Sequence, residues 1–199
     1  MTSLHLERAR DDFDRRRPID VNAVEAATQK LLMTLGVDLD DETLQETPGR
    51  MARAYIELLT PEPFTATTFP NDGEYDELVL ARSIPFASLC EHHVLPFVGV
   101  AHVGYVPGDR IIGLSKLARA VEHCARGLQV QERLTVEIAD WLEDTLAPEG
   151  VGVMLEAEHL CISMRGARTT GSRTVTSRLT GKLREEPATR AEFFARCAD

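Results

Sequence analysis

The chain has 199 residues, a formal net charge of −10 at pH 7 and 43% hydrophobic residues, a profile that fits one globular protein with a substantial core. That acidic balance argues against nucleic acid as a partner. No apolar run approaches the length that crosses a bilayer, and the charged start (His5, Glu7, Arg8, Arg10) lacks the apolar stretch of a signal peptide, so no membrane partner and a cytoplasmic address are expected.

Residues 1–19 read as a polar arm, in which Arg15-Arg16-Arg17 lies beside Asp11, Asp12 and Asp14 as a solvated, self-compensating run. Asp20 is a good N-cap for a helix through Leu35, with Val24, Leu31 and Leu35 on one face and Gly36 as the stop. After an acidic loop, Thr47-Pro48 supplies a capping hydroxyl and a proline at the first helical position, predicting a helix to Leu59 that buries Met51, Tyr55, Ile56 and Leu59. Arg50 and Arg53 share a face near its start, either as an anion-binding pair or as two solvated arginines.

From Tyr75 the texture turns to β. Leu78–Ile84 and Phe97–Val106 read as strands, the second closed by Pro107-Gly108. Ser115 is expected to cap a helix with the stripe Leu114, Leu117, Ala118, Val121 and Ala125, carrying Lys116, Arg119 and His123 on a polar face and ending at Gly127. A second helix, Val130–Leu146, buries Leu134, Ile138, Trp141, Leu142 and Leu146. Val151–Ala157 is a strand that Leu160–Met164 continues past a kink, Arg173–Leu183 is another, and a helix over Thr189–Cys197 closes the chain. The order β-β-α-α-β-β predicts an α+β fold, an antiparallel sheet with two helices on one face.

Two clusters carry chemistry. Cys90-Glu91-His92-His93 joins two strands, and His159-Leu160-Cys161 repeats the pairing of thiol with imidazole. If the fold brings them together, Cys90, His93 and Cys161 supply three zinc ligands, with a fourth position open for water and with His92 and His159 left for proton transfer. Three ligands and a gap describe a catalytic site, since structural zinc is usually closed by four. The blander reading is that both cysteines simply pack in the core. Four cysteines at irregular positions, in a chain without an export signal, read as thiols or ligands and not as a disulfide framework.

Several segments together closely resemble GTP cyclohydrolase I. They are Thr47-Pro48-Gly49-Arg50, Ser88-Leu89-Cys90-Glu91-His92-His93, Gly113-Leu114-Ser115-Lys116-Leu117-Ala118-Arg119, Gln129-Val130-Gln131-Glu132-Arg133-Leu134-Thr135, His159 to Gly166 and Thr174-Val175-Thr176-Ser177. The resemblance implies a tunnelling fold over 71–199, preceded by a helical region over 20–70, and a homodecamer of two stacked pentamers with active sites at subunit interfaces. It implies Zn2+ on Cys90, His93 and Cys161, with His92 and His159 as the acid–base pair. It implies GTP as substrate, 7,8-dihydroneopterin triphosphate and formate as products, and a place at the first step of tetrahydrofolate or related pterin synthesis. Glu132 and Gln131 would meet the guanine edge. Lys116, Arg119 and Arg165 would surround ribose and triphosphate with Ser115 nearby, and Arg50 and Arg53 would reach phosphates from a neighbouring subunit. The chain departs from the family's usual pattern at Arg126-Gly127-Leu128, Ala167 to Gly171 and Thr180-Gly181-Lys182-Leu183, and carries Arg53 in place of a frequent lysine. None of these touches the metal or proton-transfer residues. The main rival on the same fold is an enzyme using Cys90 as a covalent nucleophile, which would leave His93 and Cys161 without a role.

Overall fold

The computed structural model describes residues 19–198, so the N-terminal arm with its arginine run lies, Ile19 apart, outside the described residues. The chain divides into two compact units between Thr60 and Pro61. The first holds α1 (Val21–Thr34) and α2 (Thr47–Leu59). Asp20 caps α1 as expected, its side chain accepting from Ala23 N at 3.1 Å, and Gly36 takes the left-handed conformation that ends it. Thr28 is the buried residue of α1, and its hydroxyl bonds the Pro48 carbonyl of α2 at 3.0 Å. Leu31 and Leu35, read as part of one apolar face, are exposed in the single chain. Thr47 does not cap α2; it is the first helical residue, Glu46 occupies the cap without a side-chain bond, and Pro48 keeps its place in the first turn.

The second unit is built on a five-stranded mixed sheet in the order β5-β2-β3-β6-β7. Its strands are β2 (Val79–Cys90), β3 (Pro96–Val106), β5 (Leu128–Gln129), β6 (Gly150–His159) and β7 (Thr174–Leu179). Neighbours are antiparallel except β5, which adds to β2 in parallel and departs from the all-antiparallel expectation. Two short strands, β1 (Thr68–Pro70) and β4 (Arg110–Ile112), pair separately. They lie where proline and short length hide any alternation from sequence.

Alternation decides the faces. Ile84, Phe86, Ala101, Val103, Tyr105, Val151, Val153, Leu155 and Ala157 point to one side. There they meet Leu117, Val121 and Ala125 of α3 (Leu114–Ala125) and Leu134, Ile138, Leu142 and Leu146 of α4 (Gln131–Leu146). The stripe of α3 is rotated from the predicted one: Ala120 is buried, whereas Leu114 and Ala118 are exposed. Gly113 sits at its N-cap, so Ser115 lies inside the first turn and caps nothing. Gly99 stands opposite Ala157, and a side chain there would drive into the Glu156 carbonyl oxygen.

The chain after β6 differs most from expectation. Leu160–Ser163 is a helical turn, α5, and not a continuing strand, because β3 begins at Pro96 and offers no ladder partner beyond His159. β7 ends at Leu179, and Gly181–Glu185 forms α6 in place of more strand. Together with α7 (Pro187–Ala198), α6 covers part of the opposite face, so helices occupy both sides of the sheet. Leu183 and Phe193 form a second core there with Leu78, Val106 and Leu179, and the Phe193 ring lies on Gly152, where any Cβ would collide with it.

His102, also on this second face, is buried at 5% exposure, and its Nδ1 has no hydrogen-bond partner among the described residues. Burial holds its pKa below the ordinary imidazole value; the Glu156 carboxylate pulls upward and Arg82 downward. The folded state therefore resists a proton that the unfolded chain accepts below a pH of about 6.5, so this site withdraws stability as pH falls through that value. His102→Leu removes both the orphan nitrogen and the titration. Its melting temperature should exceed the parent's by more at pH 5.5 than at pH 7.5, whereas an equal offset at both would refute the assignment.

Candidate active site

The site forms where three strand ends meet. Cys90 closes β2, Phe97 stands near the start of β3, and His159 closes β6 directly opposite Phe97 in the ladder. Residues 91–95 make a tight turn held at both ends: Cys90 N donates to the Leu95 carbonyl at 2.9 Å, and Val94 N donates to the Cys90 carbonyl at 2.8 Å. Val94 turns through φ 53°, a conformation a β-branched residue adopts at a cost of about 1–3 kcal/mol. That strain sits at the turn that presents His92 and His93.

The helical turn α5 swings Cys161 back toward Cys90, and one ligand atom from each of Cys90, His93 and Cys161 lies within 4.8 Å of the other two. The Cys90 Sγ to His93 Nδ1 distance is 3.8 Å. Tetrahedral zinc, with bonds of about 2.3 Å to sulfur and 2.0–2.1 Å to nitrogen, sets its sulfur and nitrogen ligands about 3.6 Å apart and its two sulfurs about 3.8 Å apart. The group thus has the donor chemistry and nearly the spacing to hold a metal ion. Both sulfurs are buried and the imidazole is exposed, an arrangement open on one side. Burial, helped by the neighbouring Cys90 thiol, raises the Cys161 pKa, and Arg165 opposes this. A bound cation reverses that balance by favouring thiolate.

His92 approaches the same sulfur, Nδ1 to Sγ 3.9 Å, but is largely exposed and also lies 3.8 Å from Glu91. His159 is half-buried, its ring stacked on Phe97 with centroids 4.7 Å apart and planes 2° from parallel. Burial lowers its pKa and the Glu132 carboxylate pulls upward. Its Nε2 meets Gln131 Oε1 at 2.8 Å. Gln131 is itself 1% exposed, while Glu132, the next residue on α4, is exposed. Arg165 reaches back over α5 to the Cys161 carbonyl at 3.5 Å.

The other predicted residues lie on α2 and α3. Ser115 and Arg119 are exposed on α3 with Lys116 half-buried, and among the described residues no hydrogen bond or ion pair links them to the cysteines. Arg50 and Arg53 are exposed on α2, in the first unit. Sequence reasoning missed a strap around the turn. Arg133 bonds Glu91 at 2.6 Å and Gln129 Oε1 at 2.9 Å, while Glu91 N donates to the Gln129 carbonyl at 3.0 Å. Arg133 and Gln129 lie in a segment singled out by resemblance, but nothing in their spacing announces a partner at Glu91. Phe97 was legible only as an apolar strand residue.

An α+β chain with a cysteine–histidine–cysteine group fit for a metal ion, and two further histidines beside it, has the makings of a metal-dependent enzyme. The family model described as GTP cyclohydrolase I matches residues 24–198. The chain is 51% identical to GTP cyclohydrolase 1 of Streptomyces avermitilis over 191 residues, covering 92% of this chain and 90% of that protein. It is 49% identical over 176 residues to the protein of that name from Sulfurihydrogenibium sp., covering 88% and 94%. It is 45% identical over 198 residues to the one from Brucella canis, covering 97% and 92%. Among solved structures, the apo form of the archaeosine synthase QueF-Like aligns at 17% identity with a TM-score of 0.44, covering 53% of this chain and 94% of that one. The chain belongs to the GTP cyclohydrolase I family and is an enzyme of that family.

Each thiol must lose its proton to bind a metal, so affinity should climb with pH, by up to about two log units per unit while both thiols stay protonated. Zinc competition assays on wild-type protein should show this slope, and Cys161→Ala should abolish tight binding. Cys124→Ala should not, because Cys124 is a separate, half-buried thiol outside the metal group, whose pKa desolvation pushes well up. Tight binding retained by Cys161→Ala would remove that residue from the site.

Proposed function

We propose that the chain hydrolyses GTP with one water to 7,8-dihydroneopterin triphosphate and formate, through opening, rearrangement and reclosure of the guanine imidazole ring. The observation carrying this reading is the convergence of Cys90, His93 and Cys161 beside His159, in a chain of this family. Zinc held by those three residues would supply Lewis-acid chemistry, bringing water to nucleophilic strength near neutral pH for attack on guanine C8.

The chain's own residues do the remainder. His159 hands a proton to N7, which makes the ring electrophilic, and His92 moves protons in ring and ribose opening and in reclosure. Their placement supports the split: His159 is half-buried and oriented, and His92 is exposed beside Cys90 and Glu91. Glu132 accepts from guanine N1 and N2, a pair of donors that adenine lacks. Four negative charges on GTP call for cations gathered locally in an acidic chain; Lys116, Arg119 and Arg165, with Ser115, take the ribose and triphosphate. Arg50 and Arg53 reach the phosphates from another copy.

The tunnelling fold fits the order β2-β3-α3-α4-β6-β7, with the paired helices on one face. A ring of subunits fits the outer edge of β7, the last strand of the sheet, and the exposed Leu31, Met33 and Leu35 of α1. We place the enzyme in the cytoplasm, at the first step of tetrahydrofolate or a related pterin synthesis. All four cysteines are free, as a reducing compartment keeps them.

Zinc-loaded protein given GTP should release formate and a pterin that fluoresces after oxidation; no formate would overturn the reading. His159→Ala should keep its zinc and lose turnover by roughly 10²–10⁴-fold. Glu132→Ala should weaken GTP binding at unchanged zinc content, and undiminished affinity would remove Glu132 from the guanine site.

A further inference from the structure

Gln131 sits at the start of α4 with every polar atom of its side chain engaged. Its Nε2 lies 3.2 Å from the Leu155 carbonyl, 2.9 Å from the Thr174 carbonyl and 3.1 Å from Thr176 Oγ1. Its Oε1 faces His159 Nε2 at 2.8 Å. The direction of each bond follows from counting protons. Thr135 gives its one hydroxyl proton to the Gln131 backbone carbonyl at 2.7 Å. In the 2.7 Å contact between Thr135 and Thr176, Thr176 must therefore be the donor. With its own proton spent, Thr176 can only accept from Gln131, as the two carbonyls must also do. The –NH2 group of Gln131 therefore points at these three oxygens. The reverse orientation would press Oε1 against two carbonyl oxygens and leave an –NH2 group facing the imidazole. The oxygen toward His159 must then meet a donor, and the donor is Nε2–H.

We infer that Gln131 is a positioning residue for His159: it holds the neutral imidazole as the Nε2–H tautomer, leaving Nδ1 as the ring nitrogen that exchanges protons with substrate. This deepens the reading of His159 as the acid at guanine N7 and rests on it: the imidazolium gives its Nδ1 proton to N7, and the neutral ring left behind is the Nε2–H tautomer. It also gives Gln131 a role other than the guanine edge, because its side chain is buried with no amide proton unspent. The stacked Phe97 ring sets the plane of the imidazole, and the Gln131 amide sets its rotation within that plane. The anchor is remote in sequence. Thr174 and Thr176 belong to β7, so this edge strand fixes the tautomer of a histidine at the end of β6.

The test is magic-angle-spinning ¹⁵N NMR of histidine-labelled, zinc-loaded protein, with the His159 signals assigned by loss in His159→Asn. The neutral ring of wild-type His159 should show its proton on Nε2 and a bare Nδ1; a neutral ring with its proton on Nδ1 in place of Nε2 overturns the inference without any variant. Gln131→Leu should keep zinc, show both tautomers, and lose kcat by about 10- to 100-fold with KM nearly unchanged. Gln131→Glu, which as the neutral acid can donate to a carbonyl and accept from His159, should restore the Nε2–H signature. If Gln131→Leu instead raises KM at unchanged kcat and tautomer, Gln131 reads guanine and the inference fails. A wild-type protein that releases no formate from GTP would sink the proposed activity, while the tautomer measurement would still stand or fall by itself.

Discussion

The structure depends above all on the antiparallel ladder between β3 and β6. It runs from Phe97 opposite His159 to Val106 opposite Gly150 and threads the middle of the sheet. Through it the hairpin that ends in Cys90 and the strand that leads to Cys161 share one edge. A slip of one residue would turn Leu155, Ala157 and His159 to the other face, away from α3 and α4. The register is protected by its own side chains, because inward positions are apolar and outward ones include Glu156 and Glu158. Gly99 adds a steric lock, since only a residue without a Cβ fits against the Glu156 carbonyl.

Around this ladder, buried polar groups give the site its orientation. The carboxamide of Gln131 and the hydroxyls of Thr135 and Thr176 lie beneath the sheet end, where an unpaired donor or acceptor costs about 1–3 kcal/mol. Every member finds a partner, so the network has one low-energy arrangement and passes that uniqueness to the imidazole. The Cys90–Leu95 turn is held differently, by two backbone hydrogen bonds that offset the strain at Val94 and by the Glu91–Arg133–Gln129 strap. The metal group thus has one rigid side, at α5 and β6, and one side, at His92 and His93, that is exposed.

The distribution of charge fits the chemistry proposed for the site. An acidic surface discourages polyanions in general, so binding a polyphosphate calls for cations brought to one place. Lys116 and Arg119 on α3, together with Arg165 beside Cys161, are candidates within the second unit. The second core, with Phe193 seated on Gly152, closes the opposite face of the sheet near β3 and β6.

Much of this was legible in the residues alone. Asp20 and Gly36 bound α1, and the alternation in Phe97–Val106 and Val151–Ala157 marks the strands. The repeated pairing of cysteine with histidine points to Cys90, His93 and Cys161, because ligand chemistry is a property of residue type. Other features were hidden for a common reason: they are set by partners distant along the chain. Leu160–Ser163 and Gly181–Leu183 looked like strand by composition, yet they turn helical where the ladder runs out of neighbours. Ser115 and Thr47 looked like caps, but backbone geometry gave those places to Gly113 and Glu46. The family resemblance put Gln131 at the guanine edge, and no local pattern could say that its amide turns inward to His159 and β7. Local sequence thus determined which groups the protein carries and most of its elements. Only tertiary structure decided which groups meet and which nitrogen of an imidazole bears the proton, because both depend on atoms that touch only after the sheet has closed.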